Sequence, residues 1–480
     1  MPVDSSKKRR PLIDEVSSPL SVSEAFEHFK DRSFSFFLDS GMAHESLGRY
    51  SFIGSDPFLI LKSRGNDITL DWGDRQERIS GSPFDVLGQM LERYSTPQSP
   101  APIPFTGGAV GYLSYDLCHF IERLPATVVD ELRLPECYFA FYDSIIAFDH
   151  LKGKTYVVAT GFPETDDRRR QDNAKRRSQQ LTAIISQRPS SREPANDKAT
   201  TTKIQGNFTH KDYVAAVARA REYIAAGDIF QVNLSQRFDV NLAVAPYELY
   251  RRLHHINPAP FACYLNFGEV IVASASPERF LRVDGDLVET RPMKGTRPRG
   301  RTEEEDDALA KELLASVKDR AENVMIVDLE RNDLGRVCRY GTVKVRELWT
   351  LERYATVFQL TSTVEGRLRE GKSRIDLLKA TFPGGSITGA PKVRSMEIID
   401  ELEPTKRSIY TGSIGYLGFD GRMDSSIVIR TFIVKDGKAY FQVGGGIVWD
   451  SDPEAEYQET LDKAKALIQA LELQPAAKAK

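Results

Sequence analysis

Long apolar runs are missing from this sequence. No stretch approaches the ~20 residues needed to cross a bilayer, and the first residues lack the apolar core of a secretion signal. The expectation is a cytoplasmic protein that engages no membrane. A surplus of either charge is missing too: 65 basic and 68 acidic residues leave a formal net charge of -3. Nucleic acid needs an excess of basic groups facing its phosphates, so no nucleic acid is expected and the ligand should be small. The one basic run, Lys7, Lys8, Arg9 and Arg10, reads as a solvated tail. Cysteine and histidine are scarce. Cys118, Cys137, Cys263 and Cys338 have no metal-ligand spacing and read as reduced thiols packed as small hydrophobes. With only seven histidines and no recognisable nucleophile setting, cysteine–histidine catalysis is excluded as the leading chemistry. What is present is bulk: 480 residues, 41% hydrophobic and 28% charged, enough to bury a large core.

Alternating segments such as Tyr50 to Ile53 and Ile68 to Trp72, broken at Gly65-Asn66-Asp67 and Gly73-Asp74, predict short strands in the first part of the chain. From Glu164 to Lys203 the composition turns polar, which predicts a surface helix tapering into a linker. The organisation expected is an amino-terminal subdomain over 1–160, a polar helix and linker over 161–206, a catalytic unit over 207–470 and a tail over 471–480. Tyr213 to Ala226 has helical apolar spacing with Gly227 as its stop, and Ile229 to Val240 alternates as a strand. Leu309 to Leu334 predicts helix with a break near Ser316. Ser413 to Gly446 predicts a three-strand meander turning at Asp420-Gly421 and Asp436-Gly437. Runs of strands followed by runs of helices give an α+β class with large antiparallel sheets packed as a sandwich and flanked by helices.

Several constellations can carry chemistry. Asp319 and Glu322, and again Glu456 and Glu459, are acids three apart, which a helix places on one face. Two such faces suit a hard cation such as magnesium, and two solvated helix faces have the same spacing. The loop Pro383 to Lys392 opens a helix, so its free N–H groups, the helix dipole and Lys392 make an anion site or an ordinary turn. Gly444-Gly445-Gly446 permits close approach of a ligand to the backbone, or a bulge. Arg430 lies in the alternating run Ile427 to Thr431, where burial would demand an anionic partner from a ligand or from the protein. Lys294, constrained by Pro292, Gly295 and Pro298, is a surface lysine or one whose pKa is lowered for nucleophilic attack. Glu278 ends a strand, a position suited to a general acid or merely to water.

Taken together, from Phe208 to Leu467, the chain resembles the chorismate-utilising enzymes. The resemblance runs through Gly227-Asp228-Ile229-Phe230-Gln231, Ser276-Pro277-Glu278-Arg279, Val327-Asp328-Leu329, Arg331-Asn332-Asp333-Leu334, Gly389-Ala390-Pro391-Lys392 and Gly444-Gly445-Gly446-Ile447-Val448. Arg49 to Gly54 and Gly107 to Asp116 extend it more weakly into the first part. The resemblance implies that Glu322 and Glu459 bind Mg2+, with Asp319 and Glu456 in support. It implies that Arg430, Tyr416, Gly444, Gly446, Ser386 and Lys392 hold the dianionic substrate. Water-adding members carry a lysine base where this chain has Gln231, which argues for amination by ammonia. Anthranilate-forming members carry alanine where this chain has Lys294, and aminodeoxychorismate-forming members carry lysine. The implied chemistry is covalent attack by Lys294 with Glu278 as acid, giving 4-amino-4-deoxychorismate; anthranilate formation is the alternative. Gln359 replaces a histidine associated with pyruvate elimination in relatives. With no glutaminase unit visible, a glutamine amidotransferase subunit is the implied ammonia source. Leu38-Asp39-Ser40 is similar to a Leu-Glu-Ser motif of a tryptophan-binding region, which makes Asp39 and Ser40 candidates for a tryptophan site.

Overall fold

Alternation decides which side of each outer strand is buried. In Leu59–Arg64, Leu59 and Leu61 are sealed while Arg64 stays in water, and in Asp67–Asp71 the buried pair is Ile68 and Leu70. Strands deeper in the sheets, such as Cys137–Tyr142 and Ser144–Asp149, are buried along their whole length, so their sequences lose the alternation. The computed structural model describes residues 9–40, 47–98, 100–189, 203–354 and 357–472. Among these, two twelve-stranded sheets of antiparallel pairs form the frame. Phe36, Ile145 and Leu265 from one sheet share a cluster with Val110, Tyr138 and Ile414 from the other, so a core lies between them, with helices flanking the pair. This is the α+β class expected.

Both sheets draw on both ends of the chain. Ser35–Asp39 pairs with Phe261–Asn266, and Gly108–Leu113 pairs with Ser413–Gly418. The polar stretch expected over 161–206 holds the helix Asp167–Ile185, which Asp166 caps by accepting from the Arg169 N–H. Residues 190–202 of the expected linker, Lys7 and Lys8 of the basic run, and 473–480 of the expected tail lie outside the described residues.

The span from Ser413 to Gly446 is not a three-strand meander. It is four strands in two sheets: Ser413–Gly418 and Met423–Ile427 belong to one, Thr431–Lys435 and Lys438–Ile447 to the other. Both expected turns are present. The chain changes sheet between Ile427 and Thr431, and Arg430, expected inside a strand, sits at that crossing with φ at 54°. The crossing is as buried as a strand, with Val428 fully covered, so the apolar run there says nothing about pairing. The unusual backbone at Arg430 is held by its neighbours: its carbonyl accepts from the Ala275 N–H at 3.1 Å.

Two helices deliver the paired acids. Ser316 ends the helix Glu303–Ala315 and caps the next, Val317–Gly335, by accepting from the Asp319 N–H at 3.2 Å. The break therefore places Asp319 and Glu322 in the opening turns of a helix packed against Met293–Pro298 and Val357–Arg367. The helix Pro453–Glu472, with Glu456 and Glu459, packs against the glycine-bearing strand Lys438–Ile447.

Candidate active site

Met293–Pro298 pairs with Val357–Arg367 through a bulge: Lys294 faces Leu360, Thr296 faces Gln359, and Gly295 is the extra residue. Gly295 has φ at 77°, and a β-carbon there would lie 2.9 Å from the Asp319 side chain, so only glycine lets the lysine strand approach the acidic helix this closely. The half-buried Lys294 reaches the glycine strand. A β-carbon on Gly446 would stand 3.2 Å from Lys294 Nζ and 2.2 Å from Gln231 Nε2. Gly446 is paired with Asn233 and Gly444 with Ser235 on the strand that Gln231 begins. Burial holds the Lys294 ammonium below its ordinary range, and Lys463 adds to this, against the pull of Glu322, Glu278 and Glu459. The amide of Gln231 leaves its Oε1 buried without a partner.

Glu278 is buried, and Ser386 Oγ donates to its Oε1 at 2.6 Å. Burial pushes the carboxyl up to about 7, although the bond from Ser386 and the charge of Lys294 both oppose the rise. Lys392, expected on the substrate, is committed elsewhere: its Nζ pairs with Asp333 and donates to the Thr381 carbonyl at 2.9 Å. The reason is electrostatic. Burial raises the carboxyls of both Glu330 and Asp333, and Lys392 is the cation that offsets them. Glu330, not singled out in the sequence, accepts from the Gly385 N–H at 3.1 Å and so anchors the loop that carries Ser386.

The four acids expected on a metal come close without forming a closed cage. Among the described residues no three potential ligands converge. Burial raises Glu322, with Glu459 and Asp319 adding to the effect. Burial would also raise Glu459, but Lys463, 2.6 Å from its Oε1, leaves it below the ordinary range. Asp319 pairs with Arg297 at 3.1 Å. Glu456 Oε1 accepts from Ser451 Oγ at 2.6 Å, while its Oε2 is buried with no partner. A β-carbon on Gly445 would lie 3.0 Å from that oxygen and 3.7 Å from Glu459 Oε1. Magnesium takes hard oxygens and keeps water, often with one or two carboxylates and substrate oxygens. An all-oxygen donor set with one orphaned buried carboxylate oxygen fits that demand.

Arg430 Nη1 donates to the Lys463 carbonyl, and no carboxylate pairs with Arg430 among the described residues. Burial lowers its pKa, against the influence of Tyr410. The internal ion pair left open by the sequence is thus not what occupies Arg430. Tyr416, expected with Arg430, is elsewhere: it stacks on Phe105 at 4.4 Å and lines a separate cavity. On the strand Ser413–Gly418 it pairs with Val110 within one sheet, while the glycine strand Lys438–Ile447 belongs to the other, and Tyr410, before Ser413–Gly418, is the tyrosine beside Arg430. Gln359 Oε1 is buried without a partner. Lys463 was also missed in the sequence. Its Nζ donates to the Gly444 carbonyl at 2.8 Å, and the signal that could have found it is its position one turn after Glu459.

The separate cavity, about 450 Å³, contains Asp39, Ser40, Arg49, Tyr416 and Asp424 in its wall. Asp39 faces His254 at 3.0 Å and accepts from Ser51 Oγ at 3.0 Å, and Ser40 Oγ donates to the Tyr50 carbonyl. Lys294, Glu278, Gln231 and Arg430 do not line it.

Residues 36–469 match the family described as chorismate binding enzyme. Anthranilate synthase component 1 of Acetivibrio thermocellus is 43% identical over 464 residues, 95% of this chain and 93% of that protein. Aminodeoxychorismate synthase component 1 of Bacillus subtilis is 42% identical over 429 residues, 89% and 90% of the two chains. Among solved structures, anthranilate synthase component I from Streptococcus pneumoniae superposes with a TM-score of 0.79 at 34% identity, covering 89% of this chain and 93% of that one. The menaquinone-specific isochorismate synthase MenF of Escherichia coli shares the fold at a TM-score of 0.73 and 18% identity, covering 96% and 94%. With a family match over most of its length and relatives this similar from end to end, the chain belongs to the chorismate-binding enzymes.

Proposed function

We propose that this enzyme aminates chorismate to 4-amino-4-deoxychorismate, using ammonia from a glutamine amidotransferase subunit. The observation that carries the reading is Lys294: an amine held below its ordinary pKa, against Gly446 and Gln231, with the protonatable Glu278 within electrostatic reach. Neutral Lys294 attacks C2 of chorismate, the ring double bonds shift, and Glu278 gives its proton to the departing 4-hydroxyl, which leaves as water. Ammonia then adds at C4 and the bonds shift back, expelling the lysine nitrogen. Gln231, a neutral amide, offers no base to activate competing water, which needs deprotonation where ammonia does not. Arg430, with Tyr410 beside it, and the backbone of Gly444 and Gly446 would hold the substrate's carboxylates, and Ser386 holds Glu278. Glu322 and Glu459 would hold Mg2+, with Glu456 and Asp319 in support; bound there, the ion supplies charge neutralisation for a dianionic substrate. The experiment is incubation of the purified chain with chorismate, magnesium and ammonium, and identification of the product.

A second reading has a specific observation behind it: relatives named anthranilate synthase component 1 are as similar as the aminodeoxychorismate synthase. That reaction would release pyruvate, so a pyruvate assay separates the two. The cavity at Asp39 and Ser40 is the candidate tryptophan site, and calorimetry with tryptophan tests it: no heat of binding would remove the candidate.

A further inference from the structure

Three separate stretches of chain meet at one buried guanidinium. Arg407 Nε and Nη2 donate to the two carboxylate oxygens of Glu403 at 2.9 and 2.6 Å. Its Nη1 donates to the Ile387 carbonyl at 2.9 Å and reaches Thr411 Oγ1 at 3.4 Å, and Nη2 donates to the Asn233 carbonyl at 2.7 Å. These are five donor contacts for the five N–H groups of an arginine, with both Arg407 and Glu403 sealed from solvent. Glu403 Oε1, which takes the Nη2 bond, also accepts from Ser235 N and Ser235 Oγ at 2.9 and 2.7 Å.

The partners matter more than the pair. Ile387 follows Ser386, whose hydroxyl holds Glu278, and Gly385 on the other side is held by Glu330. Asn233 and Ser235 lie on the strand that begins with Gln231 and pairs with Gly444 and Gly446. Arg407 also lies over the rings of Tyr115 and Tyr410, 4.9 and 5.9 Å from their centroids, and Tyr410 is the neighbour of Arg430. A buried ion pair is weak evidence of stability, since desolvation offsets its attraction. A rigid fork that fixes two carbonyls from different elements is instead well suited to setting a distance.

We infer that Arg407, locked by Glu403, is a positioning residue: it fixes the loop of Ser386 relative to the strand of Gln231 and the glycines, and so aims Glu278 at the reacting ring. This rests on the reading of Glu278 as the acid. Lysine at 407 keeps the charge but cannot span the two carbonyls and the carboxylate. The test is a double-mutant cycle with Arg407→Lys and Ser386→Ala, read as chorismate consumed per folded enzyme with ammonium and magnesium. Each single variant should lose on the order of tenfold to a hundredfold in kcat, the scale of a 1 Å misplacement. The double variant should be no slower than the slower single, because both changes release the same contact. In both singles the break that Glu278 sets in the kcat/KM pH profile should move to higher pH, since Ser386 holds that carboxyl down. Losses that multiply, an unaffected Ser386→Ala, or an Arg407→Lys that lowers only the Tm while kcat and pH profile stand, would each overturn the inference. If Arg407→Lys does not fold, Glu403→Gln takes its place in the same cycle with the same criteria. The readout is substrate consumption, so a product other than the aminated ring would reject the proposed reaction and leave the positioning result standing.

Discussion

Gly446 and Lys294 touch across two elements far apart in sequence: a β-carbon at 446 would come within 3.2 Å of Lys294 Nζ and 2.2 Å of Gln231 Nε2. The backbone of Gly446 does not need a left-handed conformation, so its requirement is space alone. Gly446→Ala should fold, with a stability cost of about 1–3 kcal/mol for overpacking. Displacing Gln231 and the lysine should lower kcat on the order of tenfold to a hundredfold. Steady-state kinetics and a thermal melt on the same preparation check this. Parent-like kcat would mean the glycine is not part of the lysine's seat.

Lys294 carries the covalent step. Lys294→Ala should leave the fold intact and abolish any adduct between chorismate and the chain, seen by rapid quench and intact-mass measurement. Unchanged turnover would remove the covalent step and leave Lys294 a spectator.

The two displaced pKa values set opposite limits on rate. Lys294 must be neutral, so kcat/KM should rise from acid pH. Glu278 must be protonated, so the rate should fall at alkaline pH. Glu278→Gln should lose on the order of 10²–10⁴-fold in rate and with it the alkaline fall. Stability follows the Glu278 limb in the same direction. The folded-state pKa of Glu278, about 7, lies above its ordinary 4.5, so its contribution is full below about 4.5 and is lost as pH rises through about 7. Glu278→Gln keeps an acceptor for Ser386 and never ionises. Its Tm should exceed the parent's above pH 7 and the two should converge toward pH 5, as melts across that range would show.

Much of this was legible in the chain itself. Lys294, Glu278, Gly446 and the two acid pairs stand in motifs that the resemblance singles out, whereas local spacing alone leaves each an ordinary structural alternative. Tyr416 is expected on the substrate only through the resemblance, and Tyr410, six residues earlier, is the tyrosine that the fold brings beside Arg430. Arg430 misled because a buried crossing between sheets is as apolar as a strand. Lys463 carries no motif of its own beyond its place one turn after Glu459, and Lys392 reads as part of an anion site because Asp333, the acid that claims it, is 59 residues away. The interleaving of both ends of the chain in both sheets leaves no local trace, since long-range strand pairing is decided by the whole fold.

Magnesium dependence follows from the acids. Chelation should suppress chorismate consumption and added magnesium should restore it. Glu322→Gln and Glu459→Gln should each raise the magnesium concentration needed for half-maximal rate and weaken the magnesium binding measured by calorimetry without substrate. Identical magnesium titrations in parent and variants would move the ion away from these two helices.

The most direct measurement is the product made from chorismate and ammonium by the purified chain, separated chromatographically and identified by mass. The expected product is 4-amino-4-deoxychorismate, with no pyruvate released and with turnover lost in Lys294→Ala. Anthranilate accompanied by an equal amount of pyruvate would contradict it.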